Sequence, residues 1–136
     1  KYRTMVKNAE SDGAVFTAAN DSRVTAFGKF MRKTRMDEFP QFINILKGDM
    51  AVIGPRPERP IFVKEIAEIM PFYETRHIIK PGLTGWAQVN YSYGETIDDS
   101  LIKLQYDLYY IKHRSIYLDM NIAFKTITTI LFYRGQ

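Results

Sequence analysis

Two adjacent carboxylates, Asp37 and Glu38, are the strongest candidates for chemistry in this sequence. They follow a basic cluster, and the sequence predicts that Asp37 caps a helix with Glu38 and Pro40 in its first turn. The free N–H groups of a helix start and nearby arginines favour an ionised carboxylate and attract phosphate. An ionised Asp could then attack phosphorus to form an acyl-phosphate, while the neighbouring Glu holds Mg²⁺. From local sequence alone, an ordinary acidic helix cap explains the same pair.

The second candidate is a proline-rich loop with two arginines, Gly54-Pro55-Arg56-Pro57-Glu58-Arg59-Pro60. Prolines restrict the backbone and so lower the entropy lost when guanidinium groups are presented to phosphate oxygens. A rigid loop whose arginines pair with acidic side chains is an equally good interpretation.

A third segment places Arg76, His77 and Lys80 before a glycine-bearing turn that leads to Trp86, the single tryptophan. Such a segment could bind phosphate and stack a nucleotide base, and Arg76 is taken as a substrate-binding candidate. Trp86 could equally anchor the core, and His77 could be a structural histidine.

The elements that must position these residues are mostly helical. Apolar residues recur at helical spacing in residues 24–35, 61–70 and 98–112 and in a last helix that opens near Asp119. A short helix follows Asp37 and ends at Gly48. Residues 50–53 predict a strand, and residues 83–93 an extended loop or a small strand pair. We therefore predict one small, helix-dominated α+β domain over residues 1–136.

Acidic and aromatic residues of the helix at residues 98–112 have simpler interpretations. We expect its acidic residues at the helix cap and on its solvated face, and its tyrosines in packing contacts. These residues are Asp98, Asp99, Asp107, Tyr106, Tyr109 and Tyr110.

Composition narrows the functional classes. With 46% hydrophobic and 25% charged residues, the 136-residue chain has the composition of a folded globular domain. A net charge of +4 admits nucleic acid, nucleotide phosphates or acidic lipid headgroups as partners. The absence of cysteine excludes thiolate catalysis, and the two histidines argue against a multi-histidine metal site. No apolar run reaches the roughly 20 residues that cross a bilayer.

Several long motifs, in order along the chain, resemble those of the bacterial sugar transferases. Residues 37–58 (DEFPQFINILKGDMAVIGPRPE) closely resemble the signature of these monotopic polyprenyl-phosphate phosphoglycosyl transferases. Residues 80–91 (KPGLTGWAQVNY) and 103–112 (KLQYDLYYIK) resemble two further blocks, and residues 1–5 (KYRTM) a fourth. Enzymes of this family begin the assembly of exopolysaccharide, O-antigen or glycoprotein glycans.

The resemblance implies a specific reaction. Asp37 would attack the β-phosphate of a UDP-sugar, releasing UMP and leaving a phosphosugar ester. Glu38 would bind the Mg²⁺ that neutralises the diphosphate, and polyprenyl phosphate would then accept the sugar phosphate. Arg32 and Arg56 match family positions expected to contact phosphates, and Lys1 matches an active-site position.

The resemblance also implies a place in the cell, the cytoplasmic face of the bacterial inner membrane. The family carries an N-terminal membrane hairpin, which these residues do not include, and a homodimer is compatible with the sequence. A nucleic-acid-binding module and a non-catalytic membrane-surface scaffold are the alternatives. Both leave the ordered motifs unexplained, and we therefore expect no nucleic acid partner. The transferred sugar is not identified by the sequence.

Overall fold

A computed structural model describes residues 1–11, 13, 21–91 and 96–131. In these residues, helices dominate and two short strands pair, which confirms the predicted α+β class. The α-helices are α1 (Ala26–Lys33), α2 (Gln41–Lys47), α3 (Pro60–Ile69), α4 (Trp86–Asn90), α5 (Ile97–His113) and α6 (Ile116–Leu131). The strands are β1 (Ala51–Ile53) and β2 (Gly82–Thr84), and 3₁₀ turns span Met36–Glu38 and Tyr73–Ile78.

The two strands form a parallel pair, and the backbone of β2 lies close to Gly54, the residue that follows β1. Ala51 lies opposite Gly82, and Ile53 lies opposite Thr84. A Cβ atom on Gly82 would lie 2.1 Å from the backbone nitrogen of Gly54, so only glycine fits there. The proline-rich loop leaves the sheet at Gly54, and its starting point is therefore fixed by this pairing.

Two apolar clusters form the core of the described residues. One joins α3, the second 3₁₀ turn and α5, and the other joins α5 and α6 with flanking side chains from β1 and α4. The buried members of the first are Phe62, Ile66, Met70, Tyr73 and Leu104, and those of the second are Tyr110, Leu118 and Ile122. Helix α5 contributes to both clusters and thus connects the two halves of the core.

Two predicted helix starts and one predicted element type are wrong. The helix expected to follow Asp37 begins at Gln41, because Arg35 adopts a left-handed conformation (φ 58°) and a 3₁₀ turn follows it. The last helix begins at Ile116 instead of near Asp119, and the Ser115 hydroxyl accepts a hydrogen bond from its first turn. Residues 83–93 contain a helix, α4, and their strand pairs with β1 instead of within the segment.

The other predicted boundaries hold to within a residue or two. The predicted strand and the helices at 61–70 and 98–112 correspond to β1, α3 and α5, and α2 ends at Gly48 as expected. Thr96 caps α5 in a reciprocal capping box with Asp99, which confirms the cap interpretation for that acid.

Apolar side chains of α1 and α2 are exposed on the surface. We call Phe27, Phe30, Phe42, Ile43 and Leu46 the α1–α2 apolar residues, and Leu46 is 88% exposed. Helix α2 buries none of its side chains, so its apolar stripe faces away from the core. Across the described ranges, no helix is both long and apolar enough to cross a membrane.

Candidate active site

The first 3₁₀ turn buries both carboxylates of the Asp37-Glu38 pair. Asp37 is 2% exposed and Glu38 is 8% exposed. The left-handed residue Arg35 reverses the chain just before them, and its carbonyl accepts the N–H of Glu38 at 3.1 Å. The Asp37 side chain makes no helix-cap hydrogen bond, so the acidic-cap interpretation does not apply. Buried carboxylates require compensating partners, and these define the site.

Asp37 is held by one of its two carboxylate oxygens. The Lys1 ammonium lies 2.9 Å from Asp37 Oδ2 and compensates the negative charge. Asp37 Oδ1 is buried and has no hydrogen-bond partner in the described part of the chain. One oxygen is therefore anchored, while the other has no hydrogen bond to a described residue that a reacting atom or a cation would have to displace.

Thr4 ties Lys1 and Arg32 to the same short segment. Its carbonyl accepts the N–H of Thr25 at 3.1 Å, and its hydroxyl accepts Nε of Arg32 at 2.9 Å. Helix α1 can approach this closely because Gly28 has no side chain, and a Cβ there would lie 2.0 Å from the Thr4 carbonyl. The terminal nitrogens of Arg32 make no hydrogen bond or ion pair to other described residues, which leaves them able to bind an anion.

Arg56 brings the proline-rich loop to Glu38. Its Nη2 donates to Glu38 Oε1 at 2.7 Å, so the first two sequence candidates form one site. The other arginine of the loop, Arg59, pairs with Glu10. The pairing interpretation of the loop is therefore confirmed, since each arginine pairs with an acid, and phosphate binding by Arg56 stays a prediction.

Arg76 lies beneath this site in a buried network. Its Nη2 donates to Asp107 Oδ2 at 2.7 Å and to the carbonyl of Arg56 at 2.8 Å. Its Nε also donates to Asp107, at 3.0 Å, and its Nη1 donates to Tyr73 Oη at 2.8 Å. Since every guanidinium nitrogen has a protein partner and Arg76 is 4% exposed, the structure places it below the predicted substrate surface.

Asp107 was expected on the solvated face of α5, and that expectation is wrong. It is 1% exposed, on the same side of the helix as the buried residues Leu104 and Tyr110. The spacing of three residues on either side was a usable signal, because it puts Asp107 in the apolar stripe. A carboxylate at a core position points to a buried cation, and that cation is Arg76.

Burial raises the pKa of Asp107 to about 6 from 3.8, against the opposing pull of the Arg76 guanidinium. Glu58 also raises this pKa, and Lys103 lowers it. The folded state therefore binds the Asp107 proton more tightly than the unfolded state does. Protonation of Asp107 contributes fully to the free energy of unfolding below about pH 3.8, and this contribution is lost as the pH rises through about 6.

We therefore expect the wild type to gain free energy of unfolding relative to Asp107→Asn as the pH falls from 7 to 4. The gain should be about 2 kcal/mol, measured by urea denaturation of both proteins at each pH. A difference that does not change with pH would show that pairing with Arg76 fully compensates the burial of this carboxylate.

The third sequence candidate is divided by the structure. Trp86 packs against the second core cluster, and the Lys125 ammonium lies 4.7 Å from its ring centre, which favours the core-anchor interpretation. His77 is exposed and lines a cavity of about 130 Å³ together with Arg56, Arg76 and three prolines. This cavity adjoins the Arg56–Glu38 pair.

The carboxylates of this site fit Mg²⁺. The described residues contain no group of three or more acidic, histidine or cysteine side chains that could enclose a metal. Mg²⁺ commonly takes one or two carboxylates and fills its other positions with water and substrate phosphates. Glu38, whose Oε1 pairs with Arg56, would supply one such carboxylate.

Comparison with known proteins identifies the family of this chain. The profile of the bacterial sugar transferase family matches residues 1–133. The chain is 53% identical, over 96% of its length, to a UDP-N-acetylgalactosamine-undecaprenyl-phosphate N-acetylgalactosaminephosphotransferase from Aeromonas hydrophila. It is 44% identical, over 93% of its length, to the UDP-glucose:undecaprenyl-phosphate glucose-1-phosphate transferase of Escherichia coli K12. The chain thus belongs to the bacterial sugar transferase family.

The match covers only part of each relative. The chain spans 31% of the Aeromonas protein and 28% of the Escherichia coli protein. A galactosyl transferase from Streptococcus agalactiae is 36% identical over 99% of the chain, which spans 31% of that protein. These relatives are named for different sugars, so the family alone does not identify the donor.

Proposed function

We propose that this protein transfers a sugar 1-phosphate from a UDP-sugar to polyprenyl phosphate and thereby begins the assembly of a bacterial surface glycan. The observation that supports this most is the buried Asp37 carboxylate, with one oxygen on Lys1 and the other unpaired. The names of the relatives support the same class of donor and acceptor.

In the proposed first step, an Asp37 oxygen attacks the β-phosphorus of the donor. The new bond joins Asp37 to the sugar-bearing phosphorus, the bond between the β-phosphorus and the bridging oxygen breaks, and UMP leaves with that oxygen. In the second step, an oxygen of polyprenyl phosphate attacks the same phosphorus and displaces Asp37. The products are polyprenyl-diphospho-sugar and the free carboxylate, so the enzyme is restored.

The neighbouring side chains would orient the reacting groups. Lys1 anchors the Asp37 carboxylate, and Arg56 holds Glu38 beside it. Arg32, with its terminal nitrogens open, would bind donor or acceptor phosphate. Mg²⁺ bound at Glu38 would neutralise charge on the diphosphate when the donor is present.

The test is to incubate the full-length protein in nanodiscs with Mg²⁺ and a panel of UDP-sugars, without acceptor. A phosphosugar adduct in the peptide that contains Asp37, with release of UMP, would support covalent transfer and name the donor. If no donor gives an adduct or UMP, and polyprenyl phosphate does not restore turnover, the proposed function is wrong. The non-catalytic scaffold would then be the better interpretation.

We also propose that the α1–α2 apolar residues face the cytoplasmic surface of the inner membrane, where the acceptor resides. Lys29, Lys33 and Lys47 accompany these residues on the same two helices and suit an anionic lipid surface. Homodimerisation stays a prediction of the sequence.

Leu46→Glu should therefore slow transfer to polyprenyl phosphate about tenfold in nanodiscs, because a charge replaces a lipid-buried side chain. Adduct formation from the water-soluble donor should be unchanged. Ile69→Glu on α3, also at an exposed apolar position, is the matched control. If Leu46→Glu and Ile69→Glu transfer the sugar phosphate to polyprenyl phosphate at equal rates, the proposed membrane-facing surface is wrong.

A further inference from the structure

The buried pair of Arg76 and Asp107 contacts neither carboxylate of the proposed active site. It is nevertheless connected to them by a continuous series of hydrogen bonds. Asp107 on α5 binds the guanidinium of Arg76, and Arg76 Nη2 donates to the backbone carbonyl of Arg56 at 2.8 Å. The side chain of Arg56 then donates to Glu38 at 2.7 Å. Four residues from four separate segments are joined in this way.

Arg56 depends on such support because its loop contains no regular secondary structure. Residues 55–59 lie between β1 and α3, outside any helix or strand. The carbonyl of Pro55 is fixed to the sheet by the N–H of Gly82 at 2.9 Å. The next carbonyl, that of Arg56, is fixed by Arg76. Without this second contact, the direction in which the Arg56 side chain leaves the backbone would be much less restricted.

The placement of this ion pair also points to a specific role. Replacing a buried ion pair by apolar residues of similar size is often neutral or even stabilising, so stability alone rarely explains such a pair. The pair lies at the edge of the first core cluster, which includes Tyr73 and Leu104. Apolar side chains would fill the same space but would leave the carbonyl of Arg56 without its donor.

We propose that Asp107 is a positioning residue for the active site, acting through Arg76 on the Arg56–Glu38 pair. This inference rests on the proposed function, since it assumes that Glu38 binds Mg²⁺. It assigns Arg76 a role within the protein in place of a direct contact with substrate. Groups that orient a metal ligand in this indirect way typically change metal affinity or activity by 10- to 100-fold when removed.

The main test is the double variant Arg76→Met/Asp107→Leu in the full-length protein. It removes both buried charges together, so the fold should be retained with a Tm near that of the wild type. The Mg²⁺ concentration that half-saturates adduct formation should rise about tenfold or more. The rise in Tm on titration with Mg²⁺ and UMP, which requires no turnover, should shift to higher Mg²⁺ by the same factor.

Tyr110→Phe is the matched control. Tyr110 is as buried as Asp107, lies on the same helix and donates to Asp119 at 2.7 Å, but has no connection to Arg56. Loss of the Tyr110 hydroxyl should lower Tm modestly and leave the Mg²⁺ dependence of adduct formation as in the wild type. This contrast separates a loss of stability from a loss of positioning.

Arg76→Lys covers the case in which the double variant does not fold. Lysine keeps a charge opposite Asp107 but lacks the planar fork that also reaches the carbonyl of Arg56. It should show the same rise in the Mg²⁺ requirement. Wild-type Mg²⁺ dependence in either folded variant would overturn the positioning role. An inactive wild type would instead count against the proposed function.

Discussion

Asp37→Asn is expected to abolish the phosphosugar adduct and to slow UMP release by at least about a thousandfold. The substitution preserves size and removes only the nucleophilic charge. Asp37 is almost wholly buried, and Lys1, its ion-pair partner among the described residues, is part-exposed, so water can solvate the released ammonium. The protein should therefore remain folded while the chemical step is lost.

The measurement is single-turnover UMP release together with intact mass, using the full-length protein in nanodiscs. Asp49→Asn, the same change at an exposed site twelve positions along the chain, is the control and should behave as the wild type. Persistence of UMP release in the Asp37 variant would indicate direct displacement by the acceptor. Tandem mass spectrometry should also distinguish an adduct on Asp37 from one on Glu38.

Of the substitutions proposed here, Gly82→Ala should lower the free energy of unfolding the most. The added methyl would lie within 2.6 Å of three backbone atoms, two of Gly54 and the carbonyl oxygen of Thr84. Because backbone atoms cannot move aside as a flexible side chain does, β1 and β2 must separate. We expect a loss of about 3 kcal/mol in the free energy of unfolding, measured by urea denaturation.

Gly48→Ala provides the comparison for this steric argument. Gly48 has a positive φ of 83°, but the nearest atom to an added methyl is the flexible Lys80 Nζ at 3.7 Å. Only conformational strain should oppose alanine there, at about 1 kcal/mol. Equal losses for the two variants would mean that close packing between the strands is not what requires glycine at position 82.

Much of this fold follows from local patterns in the sequence. Helical spacing of apolar residues predicted α3 and α5, and the Lys47-Gly48 stop predicted the end of α2. The start of α2 was missed because a left-handed residue and a 3₁₀ turn intervene, and neither leaves a hydrophobic period. The helical character of α4 was missed because its β-branched, aromatic and glycine-rich surroundings are also typical of strands.

The candidate site was predictable in its residues but not in its connections. The motifs identified Asp37, Glu38 and Arg56, yet no spacing rule predicts that Arg56 reaches Glu38 across 18 residues. Arg76 was predicted to contact substrate as a basic residue before a glycine-bearing turn, whereas the structure buries it against Asp107. That partner was overlooked because a charged residue in an amphipathic helix is normally assigned to solvent.

The docking of the segment that carries Lys1 has a consequence for how the site responds to heat. Among the described residues, this segment is held by the bridge between Met5 and Val24, the contacts of Thr4, and the Tyr2 N–H on the Asp37 carbonyl. Such a small set of bonds can open while both apolar clusters remain intact, since local opening requires far less free energy than global unfolding. The ion pair between Lys1 and Asp37 should thus break at a temperature below the melting temperature of the domain. Inactivation on warming would then precede denaturation and be reversible.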